Sequence, residues 1–206
     1  MISFSQKDSL QLGDSYWEDQ LYLNITYNIL DKQPTGFGNG GFSYGFSAGY
    51  IKDIPFNRRG NFSTGIGIGY NYDSFSHNLT PNNVDFTSNP DAISSQIGLH
   101  NLEFPIQIRW RTSDAVTYSF WRIYTGVKLS YNLSNNFTYT IDNEKFSFTN
   151  IDKYNNFQTG LELSVGYGAF NLYVYYGLTP MYKDAYIDNE KIDTTITKFG
   201  LIFFLL

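Results

Sequence analysis

The sequence has no cysteine, only two histidines and no long apolar run. Without cysteine it forms no disulfide framework, no thiolate metal site and no lipoprotein attachment. Its greasiest stretch, Gly200-Leu201-Ile202-Phe203-Phe204-Leu205-Leu206, falls far short of the ~18 consecutive apolar residues of a membrane-spanning helix, which excludes a helical membrane protein. Basic residues are few and scattered, 14 Lys and Arg against 19 Asp and Glu, so the chain lacks the electrostatic footprint of a nucleic-acid binder. Charged residues of both signs make up only 16% of the chain, where a soluble domain carries about 25%.

What is abundant is aromatic and glycine. Phe, Tyr and Trp supply 19% of the 206 residues, including 18 Tyr and 18 Phe, and there are 18 Gly. They are arranged with period two, the repeat of a strand whose faces meet different surroundings. Eight segments alternate in this way, at about Gln20–Leu30, Gly41–Lys52, Asn61–Asp73, Gln96–Thr112, Ser119–Leu133, Asn156–Gly168, Asn171–Thr179 and Thr194–Leu206. In the third, Phe62, Ile66, Ile68, Tyr70 and Tyr72 stand against Ser63, Gly65, Gly67, Gly69 and Asn71. In the fifth, Trp121, Ile123, Val127, Leu129 and Tyr131 stand against Arg122, Gly126, Lys128, Ser130 and Asn132. Joining stretches alternate too: Arg58-Arg59-Gly60, Thr112–Tyr118 and Gly168-Ala169-Phe170-Asn171 are short, whereas Ser74–Ser95, Ser134–Asn155 and Pro180–Asp193 are long and polar.

Short turns at one rim and long loops at the other predict an all-β fold, an eight-stranded antiparallel up-and-down transmembrane barrel of the bacterial outer membrane, with short periplasmic turns and long extracellular loops. A soluble ligand-binding barrel would turn its apolar face inward. Here the small face carries much of the glycine, and bulky side chains from every strand could not share so narrow a bore, so the small polar face is the inner one. The large apolar face then meets lipid, the first partner the sequence implies. Residues 20–206 form the barrel. Residues 1–19 read as a lead-in, with Met1-Ile2-Ser3-Phe4-Ser5 as a possible remnant of a secretory signal. Trp17, Trp110 and Trp121 are expected near the periplasmic rim, and Tyr27, Tyr70, Tyr72 and Tyr131 near the opposite one, as two interfacial girdles.

Chemistry is sparse. Asp73, Ser74 and His77 lie close together at the end of the third segment and His100 lies in the fourth, so a lipid-modifying enzyme is one alternative, and a surface-binding or adhesin barrel acting through its loops is another. The loop acids, Asp142, Glu144 and Asp152 among them, lack calcium-loop spacing, and the alternating Gly65, Gly67 and Gly69 open no helix. No catalytic set, metal or cofactor is expected.

The segment Leu102-Glu103-Phe104-Pro105-Ile106-Gln107-Ile108-Arg109-Trp110-Arg111 resembles the Glu-apolar-Pro-apolar strand of the PorT-like outer-membrane barrels of Bacteroidota. The resemblance implies an outer-membrane location and a non-enzymatic role as anchor or accessory subunit of an envelope assembly. It extends to a link with type IX secretion or gliding and to other outer-membrane or periplasmic proteins as partners. Leu206 departs from the terminal aromatic common in such barrels, with Phe203 and Phe204 nearby. Pro105, lacking an N–H, is expected at a bulge.

Counting across the hairpins gives one further expectation. With Trp110 opposite Trp121, Arg109 falls beside Arg122 and Glu103 beside Lys128; with Leu133 near Phe157, Lys128 also falls beside Glu162. The bore would then be plugged by paired charges.

Overall fold

The computed structural model describes residues 19–33, 41–57, 60–77, 79–81, 86–88, 93–112, 121–142, 144–187 and 190–205. Eight strands form the barrel: β1 Gln20–Asp31, β2 Tyr44–Pro55, β3 Phe62–His77, β4 Ile93–Arg111, β5 Trp121–Ile141, β6 Phe157–Tyr167, β7 Phe170–Gly177 and β8 Thr195–Leu205. Each pairs antiparallel with its neighbours in the chain, and β8 returns to β1 in a ladder from Leu21↔Leu205 to Asp31↔Thr195. That ladder closes the sheet, so backbone polar groups find partners without water.

Alternation decides which face is which. In β1, Gln20, Tyr22, Asn24, Thr26 and Asn28 are buried, whereas Leu21, Leu23, Ile25 and Tyr27 are exposed, Leu21 and Ile25 by more than half (54% and 55%). The outer face is apolar all round the barrel, and the inner face is mainly polar, with Ile202 and Phe204 of β8 and Ile51 of β2 as apolar members; an apolar belt of that extent is stable only against lipid. The aromatic residues expected in the girdles, where described, fall at two levels of the barrel. Trp121, whose ring centroid lies 5.7 Å from that of Tyr167, and half-buried Trp110 stand at the short-turn rim; Tyr27, Tyr70, Tyr72 and Tyr131 stand toward the other. Trp17 lies outside the described residues.

The register differs from the expected one by two residues. Trp110 faces Ile123 rather than Trp121, Arg109 faces Tyr124, and it is Arg111 that faces Arg122; Glu103 faces Ser130 and Lys128 faces Pro105. In the next ladder Tyr131, not Leu133, meets Phe157. Burial pattern fixes register only to within an even number of residues, because a shift of two leaves every side chain on its own face. The turn makes the final choice. Thr112 N donates to Trp121 O at 3.0 Å and Trp121 N to Thr112 Oγ1 at 3.0 Å, so the ladder starts there.

Pro105 makes no bulge. Register between β3 and β4 is the same on both sides of it, Ile66↔Ile106 and Gly69↔Glu103, and only the intervening pairs are missing. Its buried ring lies over Gly67, where an added Cβ would stand 2.9 Å from the proline Cγ, so the missing N–H is accommodated without an extra residue. The bulge lies higher, at Leu133, which drops out between the pairs Asn101↔Asn132 and His100↔Ser134. Beyond it inward parity changes from even to odd, turning Asn135 and Phe137 into the barrel.

The outer loops contain more structure than their polar composition suggests. β3 continues to His77, β4 begins at Ile93, and β5 runs on to Ile141, where it pairs with a further strand, Glu144–Thr149. Residues 180–187 and 190–193 fold over the mouth. Of these, Met181, Tyr182, Ala185 and Ile192 are buried with Tyr154 and with Phe75, Ile97, Leu99 and Phe137 from the strand ends. Backbone bonds hold this cap, Met181 N to Thr194 O at 2.7 Å and Lys183 N to Lys153 O at 2.7 Å.

Candidate functional site in the barrel interior

Strand parity delivers the inward side chains in three layers. Nearest the short turns, Asp53 stands between two arginines of β4: its Oδ1 lies 3.0 Å from Arg109 Nη1 and its Oδ2 lies 2.7 Å from Arg111 Nη2, with Ser63 Oγ donating to Oδ1 at 2.6 Å. Both ion pairs are wholly buried, so each charge depends on its partner. Arg109 also donates to Gln20 Oε1 and lies 4.1 Å over the Tyr124 ring, while the Arg122 guanidinium is 5.8 Å from the Phe204 ring. Among the described residues, the Asp53 carboxylate and the faces of Tyr124 and Phe204 offset part of the crowding of these guanidinium groups.

In the middle layer Lys128 lies between Glu103 and Glu162, its Nζ 2.9 Å from Glu103 Oε2 and 3.2 Å from Glu162 Oε2. It also donates to Tyr173 Oη at 2.8 Å. The ammonium has three protons, and this gives each an acceptor. Tyr173 in turn donates to Glu162 Oε2 at 3.1 Å, and Gln107 Nε2 to Glu162 Oε1 at 2.7 Å. None of these carboxylates is directly opposite the lysine; long side chains reach along the diagonal. Two buried tyrosines fill the space beside them. Tyr22 lies across Gly69 and Tyr175 across Gly160, and a Cβ at either glycine would collide with the ring system.

Above these, Asp73 on β3 accepts from Lys198 Nζ of β8 at 2.6 Å and from Asn28 Nδ2 at 2.9 Å. A chain of amides leads off along the inner wall over three neighbouring strands, Asn101 to Asn71 at 3.2 Å and Asn132 to Asn101 at 2.7 Å. The void bordered by Asp73, Glu103, Lys128 and Lys198 measures about 10 Å³. That admits a single water. Apolar side chains of the mouth and the cap lie over the top, and burial pushes the phenols of Tyr154 and Tyr182 upward in pKa.

A closed antiparallel barrel with this inside-out polarity matches the family model described as an outer membrane protein beta-barrel domain, over residues 4–183. The chain belongs to this family. It is an outer-membrane β-barrel, and its location is the bacterial outer membrane. Among solved structures it is similar to the crystal structure of Ail, the attachment invasion locus protein of Yersinia pestis, at 10% identity over 91% of this chain and 97% of that one, with a TM-score of 0.38. No curated protein matches.

In this outer-membrane barrel the polar residues weighed for the enzyme alternative each have other contacts. Asp73 is engaged with Lys198 inside the bore, and Ser74 Oγ accepts from Gln96 Nε2 at 2.6 Å. His77 is buried, its ring 4.8 Å from that of Phe137. His100 is on the outer face, its Nδ1 2.5 Å from Tyr70 Oη. Three interior residues escaped the sequence reading. Asp53 shares the inward parity of Ser47 and Ile51, but that strand was expected to end at Lys52; Tyr173 and Lys198 sit on the two strands with the weakest alternation.

Proposed function

We propose that this barrel is a non-conducting membrane anchor or accessory subunit of an envelope assembly, acting through its surfaces rather than through its bore. The observation that carries this reading is the filled interior, in which paired charges, tyrosines and an apolar cap leave no passage for a solute among the described residues. The likeness of Glu103-Phe104-Pro105 to the PorT-like strand supports the finer assignment to an envelope complex, with type IX secretion or gliding as the context to examine. Trp110, Trp121, Tyr27, Tyr70, Tyr72 and Tyr131 then hold the barrel at a fixed depth, which a subunit meeting partners on one side of the membrane requires.

The test is extraction from the native membrane in a mild detergent at native expression, followed by native mass analysis. A stoichiometric complex with another outer-membrane or periplasmic protein is the expected result. A strictly monomeric species from which no partner copurifies overturns the subunit reading.

A further inference from the structure

The barrel wall opens between β5 and β6. Their ladder ends at Tyr131↔Phe157, and from Asn136 upward β5 pairs instead with the Glu144–Thr149 strand. The bulge at Leu133 turns β5 away, and residues 150–156 cross the interval, tied by Asn150 N to Asn135 O, Ile151 N to Asn135 Oδ1 and Asn132 N to Asn156 O, each at 2.8 Å. What remains is a lateral cleft of about 310 Å³. Small-molecule sites begin at about 300 Å³.

Its walls differ in chemistry. Below are Tyr131 and Leu133, 49% and 54% exposed on the lipid-facing surface; above are half-buried Ile151 and the exposed Asn150, Asp152 and Asn156, whose side chains make no hydrogen bond among the described residues. The amides of Asn132 and Asn135 at the back are engaged with one another at 3.1 Å, which makes that wall rigid.

We propose that this cleft binds the sugar head group of an outer-leaflet glycolipid. The apolar wall is continuous with the surface the barrel already presents to the bilayer, so an amphiphile can enter sideways with its acyl chains lying down β5 and its head among the polar groups. Amide and carboxylate side chains are the donors and acceptors that hydroxyl groups need. Among the described residues the lining holds one carboxylate and neither lysine nor arginine, which disfavours a phosphate in first contact. The proposal rests on the bilayer location alone and is independent of any protein partner.

The full chain in phosphatidylcholine nanodiscs, titrated with monoglucosyl diacylglycerol or with phosphatidate of the same acyl chains, tests this by amide chemical shifts. Saturable shifts confined to residues 131–135 and 150–156 with the sugar lipid, and weak or no binding of phosphatidate, are expected. Replacing Asp152 and Asn156 together by alanine, both on the exposed upper wall, should weaken the sugar lipid by about tenfold. Asp152→Asn should keep sugar binding within about threefold while narrowing the discrimination against phosphatidate. Shifts spread evenly round the belt, equal binding of the two lipids, or unchanged affinity in the double variant overturns the proposal.

Discussion

Lys128 has an acceptor for each of its three protons, and two of those acceptors are carboxylates with no access to bulk water. Removing the ammonium leaves Glu103 and Glu162 to repel each other in a medium that solvates neither. Lys128→Ala should therefore lower unfolding stability in phospholipid vesicles by about 3–5 kcal/mol, read from urea titration. Neutralising all three positions at once, Lys128→Met with Glu103→Gln and Glu162→Gln, should recover most of that loss, because no charge is then left without its counterpart. A loss under about 1 kcal/mol for the alanine variant would mean that water reaches the carboxylates. Strand parity made the inward direction of these three residues legible in the sequence. Asp53 was not legible, since it lies just past the point where β2 was expected to stop, and only the pairing of Ile54 and Pro55 with β3 carries the strand beyond it.

At the scale of elements, alternation located the strands well and the outer loops poorly. The extension of β5 has a readable signal, Phe137, Tyr139 and Ile141 against polar neighbours, yet its Asn and Ser content argued for a loop. The cap has no period at all: Met181, Tyr182, Ala185 and Ile192 are spaced irregularly and become one apolar surface only when the chain folds back on the mouth. Met181 is wholly buried there. Met181→Ala should remove about 2–5 kcal/mol of packing, with the loss confined to the cap because the barrel's own ladders do not depend on it. Trypsin should then cleave faster at Lys183 and Lys191, while the heat-modified shift of the barrel on electrophoresis stays as in the parent protein. A variant whose barrel melts together with the cap would show the two to be one cooperative unit.

Over the whole molecule, three layers of interior side chains and a cap lie in series between periplasm and exterior. In planar bilayers the purified barrel should give no stable, porin-like conductance at neutral pH; a persistent open level would show that the interior layers leave a continuous water path. The overall architecture was legible because every part of it follows from period two and from the alternation of short and long connections. Exact register was not, because two-residue shifts are invisible to any pattern of burial. The contact between Lys198 and Asp73 also bears on assembly. It spans the bore and joins positions 125 apart in sequence, on the last strand and the third. While the sheet is open between β1 and β8, Lys198 is held on the far edge from Asp73, and that carboxylate needs water to solvate it. Sealing of the seam between β1 and β8 and drying of this part of the lumen are therefore coupled, and the contact joins segments far apart in the chain, the kind that costs most loop entropy to form.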